Sequence, residues 1–181
     1  MLGMVFTEFV EMVEDRFSPA IADSVIESAR LPHGGAYTAV GYYSHEEIVA
    51  LVVGLSAQTG IPVSDLVTAF GQHLLKRFSE MYPQMFVSHT SLFPFLGSID
   101  AEIHREVRKL YPQAQLPRFT VLESGERAMR MAYESPRSME ALAVGLILGA
   151  AEHFGEQVKV SHEPGAVDGR PATVFHIEKN A

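Results

Sequence analysis

Tyr133-Glu134-Ser135-Pro136-Arg137 divides two kinds of sequence, and what lies on either side of it sets the architecture. Before it, Phe119 and Val121 alternate with polar neighbours, and Ser124-Gly125 signals a turn. Met129, Met131 and Tyr133 then recur every second residue, the period of a half-buried strand. After it, Met139 to Ala151 is apolar around nearly its whole circumference, which predicts a buried helix. Ser135 and Pro136 suit an N-cap and a first helical residue. The stretch therefore predicts a hairpin feeding a buried helix, whose positive N-terminal end would favour an anion beside it.

The first two-thirds of the chain reads as helical. Val5, Phe9 and Val13 recur at helical spacing, as do Phe70, Leu74 and Phe78. Ser44 and Glu47 form a capping box ahead of the apolar run Ile48 to Leu55. Pro19, Pro32, Pro62, Pro83 and Pro94 mark breaks between helices. Beyond the buried helix, alternation returns at Val158 to Val160 and at Thr173 to Ile177, joined by a loop containing Pro164, Gly165, Asp168, Gly169 and Pro171. Helices followed by a small antiparallel sheet with a buried helix predict an α+β fold. At 181 residues, 47% of them hydrophobic, and without a linker-like composition break, residues 1–181 read as one domain.

Composition excludes several function classes. The chain has no cysteine, which removes disulfides, thiolate metal sites, a cysteine nucleophile and covalent haem attachment. A formal net charge of −8 and a pI near 5.4 argue against a nucleic-acid partner, which requires a concentrated basic surface. No apolar run reaches the length of a membrane span, and the Met1-Leu2-Gly3 start lacks the basic opening of a signal peptide. The expectation is a cytoplasmic protein that engages no membrane.

Chemistry concentrates in two places. Tyr133, Ser135 and Arg137 fall at alternate positions, offering two hydroxyl donors and one charged planar fork that matches a carboxylate. On spacing alone they equally fit a tyrosine and an arginine satisfied by local backbone. Of the eight histidines, His45 sits in a capping turn, His33 and His89 in loop-like sequence, and His162 and His176 along strands. None forms a His-x-x-x-His or zinc-hydrolase pattern. His104 differs, lying at the edge of a helical stripe formed by Phe95, Ile99, Ile103, Val107 and Leu110, next to Tyr111. That position also suits an ordinary boundary histidine. Taken with the clamp and the missing cysteines, it suggests a flat apolar cofactor bearing one metal and two carboxylates. Haem b meets that description.

At this point the sequence resembles the H-NOX (haem nitric oxide/oxygen binding) family, the sensor module of bacterial stand-alone proteins and of soluble guanylate cyclase. The resemblance runs through Met1-Leu2-Gly3-Met4-Val5-Phe6, Ala69-Phe70-Gly71, Ile103-His104-Arg105-Glu106-Val107, Lys109-Leu110-Tyr111-Pro112, Leu116-Pro117-Arg118-Phe119, the clamp, and Glu140 to Phe154. It implies a haem held non-covalently between the helical part and the sheet. His104 is implied as the ligand to the iron, Tyr133, Ser135 and Arg137 as holders of the propionates, and Pro117 as the residue that distorts the ring. Val5, Phe9, Leu74, Phe78, Leu142 and Leu146 match positions around the distal face or porphyrin edge, although helical core packing alone would also account for them.

Two departures from the family pattern carry consequences. Where O2-holding members place a tyrosine and its polar supports, this chain has Leu142, Phe9 and Leu74. The implied pocket lacks a hydrogen-bond donor, which disfavours O2 far more than nitric oxide or CO. His73, beside Leu74, could supply one if it turned inward. Of the three cysteines and one histidine that bind structural zinc in some members, only His162 remains, so no zinc is expected. The implied function is a non-enzymatic nitric oxide sensor that also binds CO and signals by release of His104. Because the chain ends soon after its last strand, a separate partner is expected to read the signal, a histidine kinase or a cyclic-di-GMP enzyme. A peroxidase-like haem enzyme and a haem-independent interaction module are the rival classes. The first normally requires a distal acid–base histidine, and the second leaves His104 and the clamp without a purpose.

Overall fold

A computed structural model describes residues 1–32 and 34–180, so the loop reading of His33 lies outside the described residues. Four helices come first: α1 (Gly3–Arg16), α2 (Pro19–Ala29), α3 (His45–Thr59) and α4 (Val63–Met81). A 3-10 turn (Pro83–Met85), α5 (Leu92–Ser98), a π-helical turn (Ile99–Ile103) and α6 (His104–Leu110) follow. The remainder is β1 (Arg118–Ser124), β2 (Ala128–Glu134), α7 (Glu140–His153), β3 (Val158–Val167) and β4 (Arg170–Lys179). The four strands form one antiparallel sheet in the order β1-β2-β4-β3. The α+β expectation is met.

Two hydrophobic cores result. In one, Phe6, Phe9, Met12, Leu51, Leu55 and Phe70 knit α1 to α4 together. In the other, Met129, Met131, Phe175 and Ile177 on the sheet face Leu92, Phe95 and Leu96 of α5 and Ile147 and Ala150 of α7. Phe78 and Leu146 pack against both. Helices α4 and α7 bring the two cores together, and glycine makes their approach possible. A Cβ on Gly71 would lie 2.6 Å from the Leu142 carbonyl oxygen and 2.8 Å from the Gly145 Cα, and one on Gly145 would collide with the Thr68 carbonyl. Backbone therefore meets backbone at this crossing, and any side chain there would force the cores apart.

Several local expectations are corrected. The buried helix starts at Glu140, not at Pro136. The Ser135 hydroxyl accepts from the Arg137 N–H at 3.2 Å, closing a turn, and Ser138 has φ +46°, a left-handed conformation that no α-helix can pass through. The final hairpin turns on Asp168-Gly169 alone, both with positive φ, the geometry a two-residue hairpin loop requires. Pro164, Gly165 and Pro171 consequently belong to paired strands. Pro94 does not break a helix, since it sits in the first turn of α5, where its missing N–H costs nothing. The capping box is half formed: Ser44 caps Glu46, while the Glu47 carboxylate accepts from the Tyr37 hydroxyl at 3.0 Å. The apolar stripe from Phe95 to Leu110 is three helical pieces rather than one.

Candidate functional site

Between the two cores lies a cavity of about 580 Å³, within the range that encloses a cofactor-sized ligand. One wall comes from α1, α4 and α7: Met4 and Val5, then Leu74, Leu75 and Phe78, then Leu142, Ala143, Leu146 and Ile147. Every one of these residues is apolar. The opposite wall comes from α5, the π turn, α6 and the loop after it, and includes His104 and Pro117. Tyr133, Ser135 and Arg137 line the cavity where β2 passes into α7. Thus ten of the eleven sequence-chosen residues meet around one space.

Phe9 is the exception. Only 1% exposed, it stacks edge-on against Phe70, with ring centroids 5.2 Å apart, in the helical core behind the cavity wall. The resemblance places it at the cavity, while its helical spacing alone accounts for the core position it takes. His73 also stays out of the lining. Its Nε2 lies 3.5 Å from the Glu8 carboxylate, which Arg77 grips at 2.8 Å, and burial holds its pKa below the usual value against the pull of Glu8.

His104 is 9% exposed, and its Nδ1 lies 2.8 Å from Asp100 Oδ1. A carboxylate on one ring nitrogen fixes the tautomer and leaves Nε2 as the nitrogen free to bind a metal, the arrangement that supports metal-ligating histidines generally. Burial lowers the His104 pKa, and Asp100 opposes that shift. The lowered pKa favours the neutral imidazole that metal ligation requires. Burial likewise raises the Tyr133 pKa, with the hydrogen bond from Ser135 acting in the other direction, so the phenol remains a donor. Arg137 donates from Nη1 to the Gln115 carbonyl and from Nη2 to Gln115 Oε1, both at 2.9 Å, which ties the clamp to the loop that carries Pro117. Two participants escaped the sequence reading. Asp100 could have been found, because residues four apart meet on a helix, whereas nothing local points to Gln115.

Enclosed apolar walls, one neutral buried imidazole and a cationic, hydroxyl-rich edge fit a flat metal-bearing macrocycle with carboxylate arms. Residues 2–162 match the family model described as haem-NO-binding. The chain belongs to the haem-NO-binding family. Members of this family bind haem, and the match spans nearly the whole chain. Among solved structures, the unliganded Fe(II) H-NOX protein from K. algicida is 35% identical, with a TM-score of 0.90, covering 100% of this chain and 97% of that one. An H-NOX protein from S. oneidensis in the Fe(II)NO state is 25% identical, with a TM-score of 0.90 and full coverage of both chains. A mutant of the T. tengcongensis H-NOX is 25% identical, with a TM-score of 0.85 and coverage of 100% and 98%. Among curated proteins, none matches. Among the described residues of this haem-NO-binding chain, no group of three or more His, Cys, Asp or Glu is placed to hold a metal, and no single helix is long and apolar enough to cross a membrane.

Proposed function

We propose that this chain is a nitric oxide sensor that holds haem b non-covalently, with His104 as its only protein ligand to the iron. The wholly apolar wall built by α1, α4 and α7 is the observation that carries the reading. The haem would supply a ferrous iron with one open position for a diatomic gas. The side chains of that wall offer no donor, and the hydroxyls that line the cavity belong to Tyr42, Tyr82, Tyr111, Tyr133 and Ser135, outside those three helices. Bound O2 bears partial negative charge and depends on such a donor, whereas nitric oxide and CO depend on it much less.

Tyr133, Ser135 and Arg137, which line the cavity together, would hold the two carboxylate arms, and Pro117 would pack against the ring. His104 is the moving part. With haem bound, His104 would be the ligand given up when nitric oxide occupies the open position and kept when CO does. Only such a difference between states can shift a conformational equilibrium. Release of His104 would let α6 change its hold on the cavity wall, and a separate partner, a histidine kinase or a cyclic-di-GMP enzyme, would read the change. A peroxidase reading lacks its distal acid–base group, since His73 is not among the residues that line the cavity.

The test is spectroscopic. Ferrous protein given nitric oxide should show loss of His104 from the iron, wholly or in part; given CO, it should retain His104; and in air it should form no lasting O2 complex. A long-lived oxygenated spectrum, or His104 retained fully under both gases, would overturn the reading.

A further inference from the structure

The helical stretch that carries His104 changes type on the way to it. The N–H of His104 donates to the carbonyl of Ile99, five residues back, and the turn Ile99–Ile103 is π-helical between two α-helical pieces. A π turn holds one residue more than an α turn and is otherwise rare, occurring mostly where function uses it. Its effect here is rotational. At about 100° per residue, an uninterrupted α-helix would put His104 about 140° from Ile99 and about 180° from Phe95. Both of those residues line the cavity, so His104 would lie on the side of the helix opposite Phe95 and far round from Ile99. One inserted residue takes back about 100°, leaving His104 about 40° from Ile99 and about 80° from Phe95. His104 does line the cavity.

Something must hold so unusual a turn. Ser98, at its start, is buried; its hydroxyl donates to the Phe95 carbonyl at 2.8 Å and lies 3.1 Å from His89 Nε2. The same Nε2 lies 3.5 Å from the carboxylate of Glu102, inside the turn. The His89 ring stands edge-on to Phe95 at 5.6 Å. One imidazole from the preceding loop thus bridges both ends of the π turn.

We propose that the extra residue of this π turn aims His104 into the cavity, and that His89 locks the turn, which makes His89 a positioning residue for the haem ligand. The inference rests on His104 being that ligand, but it can be tested apart from it. Ala101 is exposed, and deleting it leaves a continuous α-helix with one step fewer between Phe95 and His104. The imidazole then keeps the phase the π turn gives it, and Asp100, now three residues away, still shares its face.

The deletion variant should therefore retain haem at wild-type content, through His104. In haem-free protein, His104 should stay as protected from diethyl pyrocarbonate as in wild type, measured by peptide mass spectrometry. A deletion variant that loses haem while wild type keeps it, or in which His104 becomes reactive, would overturn the inference. Wild type without haem would instead overturn the functional reading and leave the protection experiment to decide this one. His89→Ala provides the second arm. Its haem content and melting temperature should hold, while the iron–histidine stretching band of the ferrous protein shifts and broadens, with His89→Gln restoring it by bonding Ser98 and Glu102. An unchanged band in His89→Ala would remove His89 from this role.

Discussion

Replacing Arg137 with alanine tests the clamp where its energetics can be worked from the structure. Two N–H groups of the guanidinium are already committed to Gln115 at 2.9 Å each, so the fork is held in place before any ligand arrives. Its remaining N–H groups are free to meet a carboxylate arm. A hydrogen bond to a charged group contributes about 1.5–3 kcal/mol, and each 1.4 kcal/mol is about tenfold in affinity, so the range is roughly 10- to 150-fold. Arg137 is half-buried rather than buried, and solvent screening places the loss near the lower end, on the order of tenfold. Ser135→Ala should cost less, because its hydroxyl accepts a neutral backbone N–H, a bond contributing about 0.5–1.5 kcal/mol. Arg137→Lys keeps the charge but loses the fork, and should fall between the two. The assay is the rate of haem transfer to an excess of a tight haem acceptor, with folding checked by circular dichroism. If Arg137→Ala loses haem no faster than wild type, the carboxylate clamp is wrong.

The other variants probe the distal wall and the helix crossing. Leu142→Tyr puts a hydroxyl on the α7 face of the cavity and should raise O2 affinity, modestly because its neighbours Leu74 and Val5 remain apolar; O2 titration of the ferrous variant checks this, and no gain would mean the wall does not face the gas. Gly145→Ala forces a Cβ onto the Thr68 carbonyl, and an overpacking cost of about 2 kcal/mol corresponds to a melting temperature lower by about 4–8 °C. An unchanged melting temperature would show that α4 and α7 separate freely.

How much of this was legible follows from which signals are local. Period-two spacing in Met129, Met131 and Tyr133 gave β2 and its buried face, because alternation is a property of neighbours along one strand. The unbroken apolar run gave α7 for the same reason, since a helix buried on all sides needs no polar face. Its start was misplaced because Ser135-Pro136 has the composition of a helix entry, while the left-handed Ser138 that blocks it carries no mark in the sequence. Tyr133, Ser135, Arg137 and His104 were readable as candidates from their chemistry, and the family resemblance gave them roles. The π turn was not, because Ile99-Asp100-Ala101-Glu102-Ile103 has ordinary helical composition and its extra residue is held by His89, a contact made only in three dimensions. Gln115 was hidden likewise, being 22 residues from the arginine it orients. Phe9 was put at the cavity by the family resemblance, whereas its helical spacing marked it only as core, which is where it packs.

The most direct measurement is the visible spectrum of His104→Gly beside wild type, each as purified and reduced, with and without added imidazole. Wild type should carry one non-covalent haem b whose ferrous spectrum is that of a single histidine ligand. His104→Gly should lose most of its haem, and imidazole, entering the space the side chain leaves beside Asp100, should restore both the haem content and the ferrous spectrum. A wild-type ferrous spectrum in His104→Gly without imidazole would contradict the account.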